Sequence, residues 1–347
     1  MAKESFKVSV IIPVYKVERF IARCASSLMR QTLAEAEFIF VDDATPDGSI
    51  HVLQDTLDRF PERREQVRLI RHETNLGLPA ARNSGLAVAQ GEYVFHCDSD
   101  DFMDPEMLAQ LYRTAKAADA DIVWCDWWLS FVKNERYMKQ PEYGTPFEAL
   151  KGMLSGVMKF NVWNKLVRRS LYEESRIQFP AGYGMGEDMT MMRLFARARR
   201  AVYLPKAFYH YVQQNSGAFS KTYSDRHLEE LRHNVTLVLE DLQHLFGNRL
   251  ERETAFFKLD VKFPFLITDD ARKHALWKAW YPEADPYILQ NRCLSLRSRC
   301  LQWLAWKGQF WAVRLYYRCV HRLVYGLIYC LGSCGCCARA GWFCLPF

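Results

Sequence analysis

Two aspartates, Asp98 and Asp100, directly follow an apolar run of strand-forming residues and are separated by Ser99. Carboxylates at this spacing can hold Mg²⁺ or Mn²⁺ through one or two oxygens while phosphate groups of a substrate fill other coordination positions. The ion would then neutralise negative charge on a departing diphosphate. Acidic turns after strands are common and usually only solvated, so this pair needs support from other polar residues.

Polar segments follow two earlier apolar runs as well. Tyr15 could stack on a base, and Asp43 could accept a hydrogen bond from an imide N–H, which uracil and thymine carry. Tyr15 could equally be an amphipathic residue at a sheet edge, and Asp42 with Asp43 could form a turn. Arg82 lies in the first turns of a predicted helix, where the dipole disfavours a cation unless an anion is near. A phosphate or a neighbouring carboxylate would supply that anion.

Two further titratable segments lie later in the chain. Glu187 and Asp188 open a predicted helix, where one carboxylate could take the proton from an attacking hydroxyl. Acids also favour a first helical turn for the dipole alone. His210, between two tyrosines, could approach a diphosphate or a metal ion, or be a hydrogen-bonded packing residue. We predict a metal site at Asp98 and Asp100, with His210 as a candidate third ligand.

These side chains need a scaffold that brings them together. Apolar runs rich in Val and Ile alternate with segments of helical spacing over the first hundred residues. This alternation predicts an α/β fold with a doubly wound, mostly parallel sheet, and ligands bind such sheets beyond the carboxyl ends of the strands. The predicted strands are 6–13, 37–43, 67–71, 93–97, 121–129 and 161–168, and the predicted helices are 17–31, 49–60, 79–89, 104–118 and 186–199.

The order and spacing of several short segments resemble the family 2 glycosyltransferases of GT-A fold. In the first half of the match these are residues 8–15 (VSVIIPVY), 41–43 (VDD), 75–78 (NLGL), 81–85 (ARNSG), 91–93 (GEY) and 98–102 (DSDDF). Residues 164–166 (NKL), 186–188 (GED) and 209–211 (YHY) resemble the acceptor half of the same family. The resemblance covers residues 6–220 and implies a Rossmann-like, GT-A domain.

The resemblance implies an inverting transferase that uses a nucleotide sugar, usually a UDP-sugar, and a divalent cation, Mn²⁺ or Mg²⁺. It implies that Asp98 and Asp100 hold the metal, that Asp188 is the base, and that Glu187 orients the base or contacts the sugar. Lys16 stands where the family commonly has asparagine, so the shape of the donor pocket is the part of the resemblance that this departure leaves open. The nucleotide-sugar-binding residues implied are Pro13, Val14, Tyr15, Asp42, Asp43, Asn75, Arg82, Asp98 and Ser99.

The net charge of +6 is confined to the end of the chain, because residues 286–347 contain eight basic and no acidic residues. Four tryptophans lie in the same stretch, which favours an anionic membrane surface over nucleic acid as the partner. Trp306, Phe310, Val313 and Tyr317 begin a helical stripe that continues through Val320, Val324 and Leu327. We expect this stripe to lie on the membrane; packing against the catalytic body or a second subunit is the alternative.

Cysteines fall into two groups. Cys24, Cys97 and Cys125 lie in periodic segments and are predicted to be reduced core thiols. The other eight follow residue 290 without the paired spacing of a zinc module, so a frayed or membrane-apposed tail is favoured over zinc.

The sequence thus predicts a GT-A domain over 1–225, with a nucleotide-binding half (1–115) and an acceptor half (116–225). A helical extension (226–285) and a basic aromatic tail (286–347) follow. No secretory signal precedes the first strand, so we expect a cytoplasmic enzyme peripheral to the inner face of the membrane. It would glycosylate a lipid-linked or lipid-bearing acceptor, such as a lipopolysaccharide, capsule or exopolysaccharide precursor. The alternatives are a nucleotidyltransferase and a non-catalytic sugar-nucleotide-binding or assembly protein.

Overall fold

A mixed β-sheet forms the core of the first compact unit in the computed structural model, which describes residues 6–213 and 224–320. The strands are β1 (Val8–Val14), β2 (Ala36–Asp42), β3 (Val67–Arg71), β4 (Tyr93–His96), β5 (Phe102–Met103), β6 (Ile122–Ser130), β7 (Glu135–Met138), β8 (Lys165–Arg168) and β9 (Ala201–Val212). Within the described residues they are ordered β3-β2-β1-β4-β8-β6-β9-β5, and β7 pairs with β6.

Helices connect these strands over most of the first unit. They are α1 (Ile21–Met29), α2 (Ser49–Leu57), α3 (Leu78–Val88), α4 (Met107–Ala118), α5 (Pro146–Leu154), α6 (Arg169–Ser175), α7 (Thr190–Phe195) and α8 (Asp225–Phe246), with short 3₁₀ helices at Pro61–Gln66 and Glu187–Met189. The predicted α/β class is therefore confirmed, and most predicted elements lie within a few residues of their observed bounds.

The sheet is parallel on its nucleotide side and mixed elsewhere. β1 runs parallel to both β2 and β4, whereas β8 runs antiparallel to both β4 and β6. The predicted strand over 161–168 begins only at Lys165. His210, expected after a strand, lies inside β9, which runs parallel to β6 with an irregularity in register near Asp126.

The register places the sequence-predicted polar residues at one edge. Val14 pairs with Asp42, and Ile11 pairs with His96. Tyr15, Asp43 and Asp98 therefore follow three neighbouring parallel strands, at the carboxyl edge where ligands bind α/β sheets. Pro13 and Val14, predicted from the sequence to bind the nucleotide, are the last two residues of strand β1 and are buried.

Helix α3 packs closely on β1 because it carries a glycine at the contact. A Cβ atom at Gly85 would lie 2.4 Å from Cγ2 of Ile11. Real Cβ contacts are not this short, so any larger residue would push the helix away from the sheet. The close approach holds α3, which carries residues 82–84, against β1.

The chain divides into two compact units, one of Met1–Leu150 with Phe160–Leu242 and one of Lys151–Lys159 with Gln243–Phe347. The first unit thus runs past the boundary predicted at residue 225 and includes most of α8. In the second unit the described helices are α9 (Glu251–Lys262), α10 (Ala271–Ala279), α11 (Leu296–Trp306) and α12 (Phe310–Tyr316), with 3₁₀ helices at Phe263–Leu266 and Pro282–Gln290. Helical breaks at Pro264 and Pro282 occur as predicted.

Part of the apolar stripe predicted to lie on a membrane packs inside the second unit instead. Phe310 stacks on His274 at 5.2 Å between ring centroids and lies edge-on to Trp277 at 6.4 Å. Val313 is fully buried, whereas Trp306 is 40% exposed. The remaining members Val324 and Leu327 lie outside the described residues, as do the last five cysteines. No helix among the described residues combines the length and apolar character needed to cross a bilayer.

Candidate active site

A single buried arginine joins the two acidic motifs that the sequence singled out. Arg82 lies on α3 and is 1% exposed. Its Nη2 donates to Oδ1 of Asp98 at 2.9 Å and to Oε1 of Glu187 at 3.5 Å. Burial opposes the guanidinium charge, but the carboxylates of Asp98, Glu187 and Asp188 outweigh it and raise the pKa of Arg82. The site therefore unites residues from both halves of the predicted GT-A domain.

The anion that Arg82 requires is thus supplied by carboxylates. From the sequence, this anion could be a phosphate or a carboxylate. The structure places two carboxylates within hydrogen-bond distance of Arg82. Arg82 Nε and Nη1 are also buried, yet they have no hydrogen-bond partner among residues 6–213 and 224–320. The ring of Phe179 lies 5.8 Å from the guanidinium carbon. Two donor nitrogens of a charged, desolvated group, with three N–H bonds between them, therefore lack a partner among the described residues.

The acidic pair Glu187-Asp188 occupies a 3₁₀ turn ahead of α7. Gly186, with φ of 87°, starts this turn in a backbone conformation that favours glycine. Burial raises the pKa of Glu187 well above its usual range, and the neighbouring Asp188 charge adds to the effect. Burial also raises the pKa of Asp188, but only to about 6, since the charges of Arg82 and Lys165 act against it.

Lys165 is a buried cation near the acidic pair. Its Nζ donates to the backbone oxygen of Asn161 at 2.7 Å and to Oδ1 of Asn164 at 2.8 Å. Burial lowers the pKa of Lys165 to about 7, while the Asp188 carboxylate favours its charged form. Asn164 in turn donates to the backbone oxygen of Cys125 on β6. Asn164 and Lys165 belong to one of the segments that resemble the family, but no role was predicted for either residue.

The aspartate motif divides into two functions. Asp98 is 27% exposed at its side chain, and its backbone N–H donates to the Tyr209 hydroxyl at 3.0 Å. Asp100 is partly exposed, whereas Ser99 is 5% exposed. Asp101 is fully buried and accepts hydrogen bonds from the hydroxyl of Tyr209 and, at Oδ1, from a backbone N–H of β9. Asp101 therefore fixes the loop to β9, while Asp98 and Asp100 keep access to solvent.

The donor set of Asp98 and Asp100 suits a hard cation. Mg²⁺ and Mn²⁺ prefer carboxylate oxygens and commonly take only one or two from the protein, the rest coming from water and substrate phosphates. Within the described ranges, no group of three or more His, Cys, Asp or Glu residues forms a metal site of its own. The two partly exposed carboxylates therefore fit an ion that shares its coordination with a bound diphosphate.

His210 is engaged with a different pair of carboxylates. Its Nδ1 lies 2.7 Å from Glu135 Oε1, and its Nε2 lies 3.3 Å from Asp104 Oδ1. The imidazole ring stacks on Phe102 with 4.2 Å between centroids. A metal ligand needs one ring nitrogen without such a contact. These contacts fit the packing alternative for His210 better than the predicted role as a metal ligand.

Tyr15 and its neighbours form the exposed rim of the carboxyl edge. Tyr15 is 40% exposed, and the ammonium of Lys16 lies 5.1 Å from its ring centroid. The backbone N–H of Lys16 donates to Thr45 Oγ1, and Asp42 Oδ1 accepts from the Thr45 N–H at 3.0 Å. Asn75 Nδ2 donates to a backbone oxygen of the same edge, that of Asp43. The open ring face of Tyr15 can receive a planar base.

Asp43 organises the loop that precedes α3. Its Oδ1 accepts from the Leu76 N–H at 2.8 Å and lies 2.7 Å from His72 Nδ1, and its Oδ2 accepts from the Gly77 N–H at 2.8 Å. The other imidazole nitrogen, His72 Nε2, lies 2.9 Å from Ser84 Oγ on α3. A carboxylate offers about four lone-pair sites, so one on Oδ2 is left for a further donor.

Several residues of this site were not predicted. His72 gives no signal in the sequence, because a lone histidine after a strand is indistinguishable from a surface residue. Asn83 and Ser84 stood in the family segment without a role, although Asn83 bonds to the backbone of Phe179 in both directions. In the sequence, a polar side chain on the apolar face of a predicted helix is the signal that could have indicated such a buried contact.

Comparisons with known proteins show which family the chain is similar to. The model of the family described as Glycosyl transferase family 2 matches residues 9–189. The chain is 32% identical over 237 residues to an uncharacterized glycosyltransferase, EpsJ, of Bacillus subtilis, which covers 64% of this chain and 67% of EpsJ. It is 28% identical over 277 residues to the cholesterol galactosyltransferase of Borreliella burgdorferi, covering 76% of this chain and 75% of that protein.

A solved structure shares the fold. Residues 1–349 of S. aureus TarS, crystallised with UDP-GlcNAc, match with a TM-score of 0.67 and 21% identity, over 90% of this chain and 92% of that one. At this level of identity the match establishes the fold. It agrees with the α/β architecture and the helical C-terminal region described above.

Proposed function

Because the chain belongs to glycosyl transferase family 2, and is thus a glycosyltransferase, we propose that it transfers one sugar from a UDP-sugar, with inversion, to a hydroxyl of a lipid-linked or lipid-bearing glycan. The observation that carries this proposal is the Arg82 contact with both Asp98 and Glu187. It holds the acidic pair beside the residues that would bind the donor diphosphate. A donor and a base must be this close for direct transfer.

The donor half supports a uridine nucleotide. Tyr15 presents an exposed ring for base stacking, and Asp43 Oδ2 keeps one lone-pair site for an imide N–H. Asp98 and Asp100 would hold a divalent cation, which when bound would neutralise charge on the diphosphate. The unpartnered N–H groups of Arg82 are suited to a phosphate oxygen or to the base edge. TarS, which shares the fold, was crystallised with UDP-GlcNAc.

The acceptor half supports a single displacement. The acceptor hydroxyl oxygen would attack the anomeric carbon on the face opposite the diphosphate, and Asp188 would take the hydroxyl proton. The bond between that carbon and the phosphate oxygen breaks as the new glycosidic bond forms, and UDP leaves with the electron pair. A pKa of about 6 leaves Asp188 mostly ionised at neutral pH and still basic enough to share the proton.

A lipid-bearing acceptor is supported by two observations outside the site. The chain resembles a protein named cholesterol galactosyltransferase, a name that indicates a lipid substrate for that protein. In the second unit Trp303, Trp306 and Trp311 are 37%, 40% and 62% exposed, and basic side chains lie beside them in sequence. Indole rings with basic neighbours are typical of surfaces that lie in a membrane interface. We therefore place the enzyme at the inner face of the membrane, where its acceptor is concentrated.

Calorimetric titration tests the donor. UDP, GDP, ADP and CMP are titrated into the purified chain with Mn²⁺ and again with chelator, using wild type and Asp98→Ala. We expect wild type to bind UDP most tightly, and only with Mn²⁺. For Asp98→Ala we expect Mn²⁺ to have no effect on UDP binding. A preference for another nucleotide would refute the role given to Asp43. Absence of any nucleotide binding by folded protein would favour a non-catalytic assembly protein.

A further inference from the structure

We propose that Asn83 is a positioning residue for the catalytic base, and that three successive side chains of α3 connect the donor pocket to that base. The inference rests on the proposed function, since it assigns Asn83 a part in the same transfer. The evidence for it is that neighbouring side chains of α3 form hydrogen bonds with three different parts of the structure.

The Asn83 side chain binds one backbone position as a peptide group would. Its Nδ2 donates to the Phe179 carbonyl at 2.8 Å, and its Oδ1 accepts from the Phe179 N–H at 2.9 Å. Phe179 is 2% exposed and Asn83 is half-buried, so both bonds are partly buried. A reciprocal pair fixes position and orientation together, which one hydrogen bond cannot do. Asn83 thereby determines where the segment that leads to the base begins.

The segment from Phe179 to Asp188 depends on such anchors because its backbone is not regular. Gly182 and Gly186 take φ values of 83° and 87°, outside helix and strand. Asn234 Nδ2 donates to the carbonyl of Met185 at 2.9 Å and so holds the middle of the segment to α8. Asn83 holds its start, and the Arg82 contact with Glu187 holds its end. Loss of the first anchor would let the acidic pair shift.

The residues on either side of Asn83 serve the donor pocket. Ser84 Oγ lies 2.9 Å from His72 Nε2, and His72 Nδ1 lies 2.7 Å from Asp43 Oδ1. Arg82 contacts Asp98 of the metal motif. Successive helical residues point about 100° apart, so one short stretch can reach three separate partners. Arg82 therefore contacts the predicted metal motif, and Asn83 holds the segment that leads to the base. Ser84 contacts His72, the partner of Asp43 in the proposed nucleoside site.

Two neighbouring substitutions in the full-length chain test this division. We expect Asn83→Ala to speed amide hydrogen exchange in residues 179–188, to lower kcat about 100-fold, and to leave the Kd for UDP unchanged. Ser84→Ala should do the reverse: it should raise the Kd for UDP and leave exchange in residues 179–188 at the wild-type rate. A purely structural role for Asn83 would instead lower nucleotide affinity and turnover together.

Further controls keep the outcomes separate. Should Asn83→Ala fail to fold, Asn83→Asp retains the acceptor for the Phe179 N–H, loses the donor to its carbonyl, and should show the same split. Unchanged exchange in residues 179–188 overturns the proposal, as does a Kd change as large as the kcat change. If wild type bound no UDP and transferred no sugar, the proposed function would fail, and the exchange measurement alone would still decide whether Asn83 holds this segment.

Discussion

At the scale of single residues, burial and neighbouring charge assign different roles to two adjacent acids. Burial raises the pKa of Glu187 well above its usual range, whereas the pKa of Asp188 reaches only about 6. When two neighbouring carboxyl groups have separated pKa values, the group with the lower pKa commonly acts as the base. The other acts as a proton donor or takes no part in proton transfer. The geometry agrees, because Glu187 contacts Arg82 while Asp188 Oδ1 has no hydrogen-bond partner in the described part of the chain.

Matched neutral isosteres separate these roles. We expect Asp188→Asn to lower kcat by about 10²–10⁴-fold, since the amide cannot accept the acceptor proton. Glu187→Gln, which keeps a carbonyl oxygen that can accept from Arg82, should cost far less. UDP affinity should be unchanged in both variants. Turnover is measured as UDP release dependent on acceptor, and the opposite order of activities would identify Glu187 as the base.

The same assignment predicts the pH dependence of turnover. Because Asp188 must be ionised to accept a proton, kcat should fall as pH drops below about 6 and level off above it. The slope below that value should approach about tenfold per pH unit for one ionisation. Measuring kcat at saturating donor and acceptor isolates this ionisation. A plateau that extends well below pH 6 would show that another group, or no group, limits the step.

At the scale of elements, Asp241 of α8 binds two arginines, Arg193 in helix α7 and Arg197 just after it. Asp241 accepts from Arg193 Nε at 2.9 Å and from Arg197 Nη1 and Nη2 at 2.7 and 2.5 Å. Burial acts to raise the pKa of Asp241, but hydrogen bonds from Arg197 and Arg193 outweigh it and lower the pKa. This cluster fixes the helix that directly follows the acidic pair.

Removing that carboxylate should destabilise the first unit. We expect Asp241→Asn to lower the free energy of unfolding by about 1–3 kcal/mol at neutral pH, because two guanidinium groups lose a charged acceptor. The folded-state pKa is depressed, so the contribution is present above the unfolded pKa of about 4 and is lost as pH falls further. Chemical denaturation at neutral and acidic pH measures the difference. Glu240→Gln, at an exposed neighbour on α8, should have little effect; an equal loss would point to general charge effects.

The sequence predicted elements better than it predicted side-chain partners. Val and Ile runs define β1 and β2 because a buried parallel strand needs apolar residues on both faces. The same pattern does not identify the anion beside Arg82, because a phosphate or the carboxylates of Asp98 and Glu187 would neutralise its positive charge equally well. His72 and Asn83 could not be identified because their roles arise from contacts with residues distant in sequence, Asp43 and Phe179. Spacing along one helix contains no such information.

At the scale of the whole molecule, the basic excess and the exposed indoles lie in one region of the sequence. Lys307 lies 4.2 Å from the ring centroid of Trp306, and Arg314 follows the 62% exposed Trp311. The stripe predicted from helical spacing is partly internal, because Phe310 and Val313 pack within the second unit. The tryptophans outside that core are therefore the better candidates for a membrane contact.

Vesicle binding by the full-length chain tests this assignment. We expect Trp303→Ser, Trp306→Ser and Trp311→Ser together to weaken binding to anionic vesicles at least about tenfold, a loss of about 1.4 kcal/mol. Binding by wild type should fall with added salt, because the basic side chains act within about one Debye length of the surface. Sedimentation with vesicles at two salt concentrations measures both effects.

A control set in the first unit makes the result specific. Phe131→Ser with Val132→Ser removes apolar side chains that are 43% and 78% exposed, and it should leave vesicle binding unchanged. An equal loss from this control would mean that exposed apolar surface in general drives binding. If neither set weakened binding, the indoles of α11 and α12 would be excluded, and attachment would have to depend on basic residues or on residues 321–347. Since electrostatic attraction alone is screened by salt, the residual binding at high salt distinguishes these two sources.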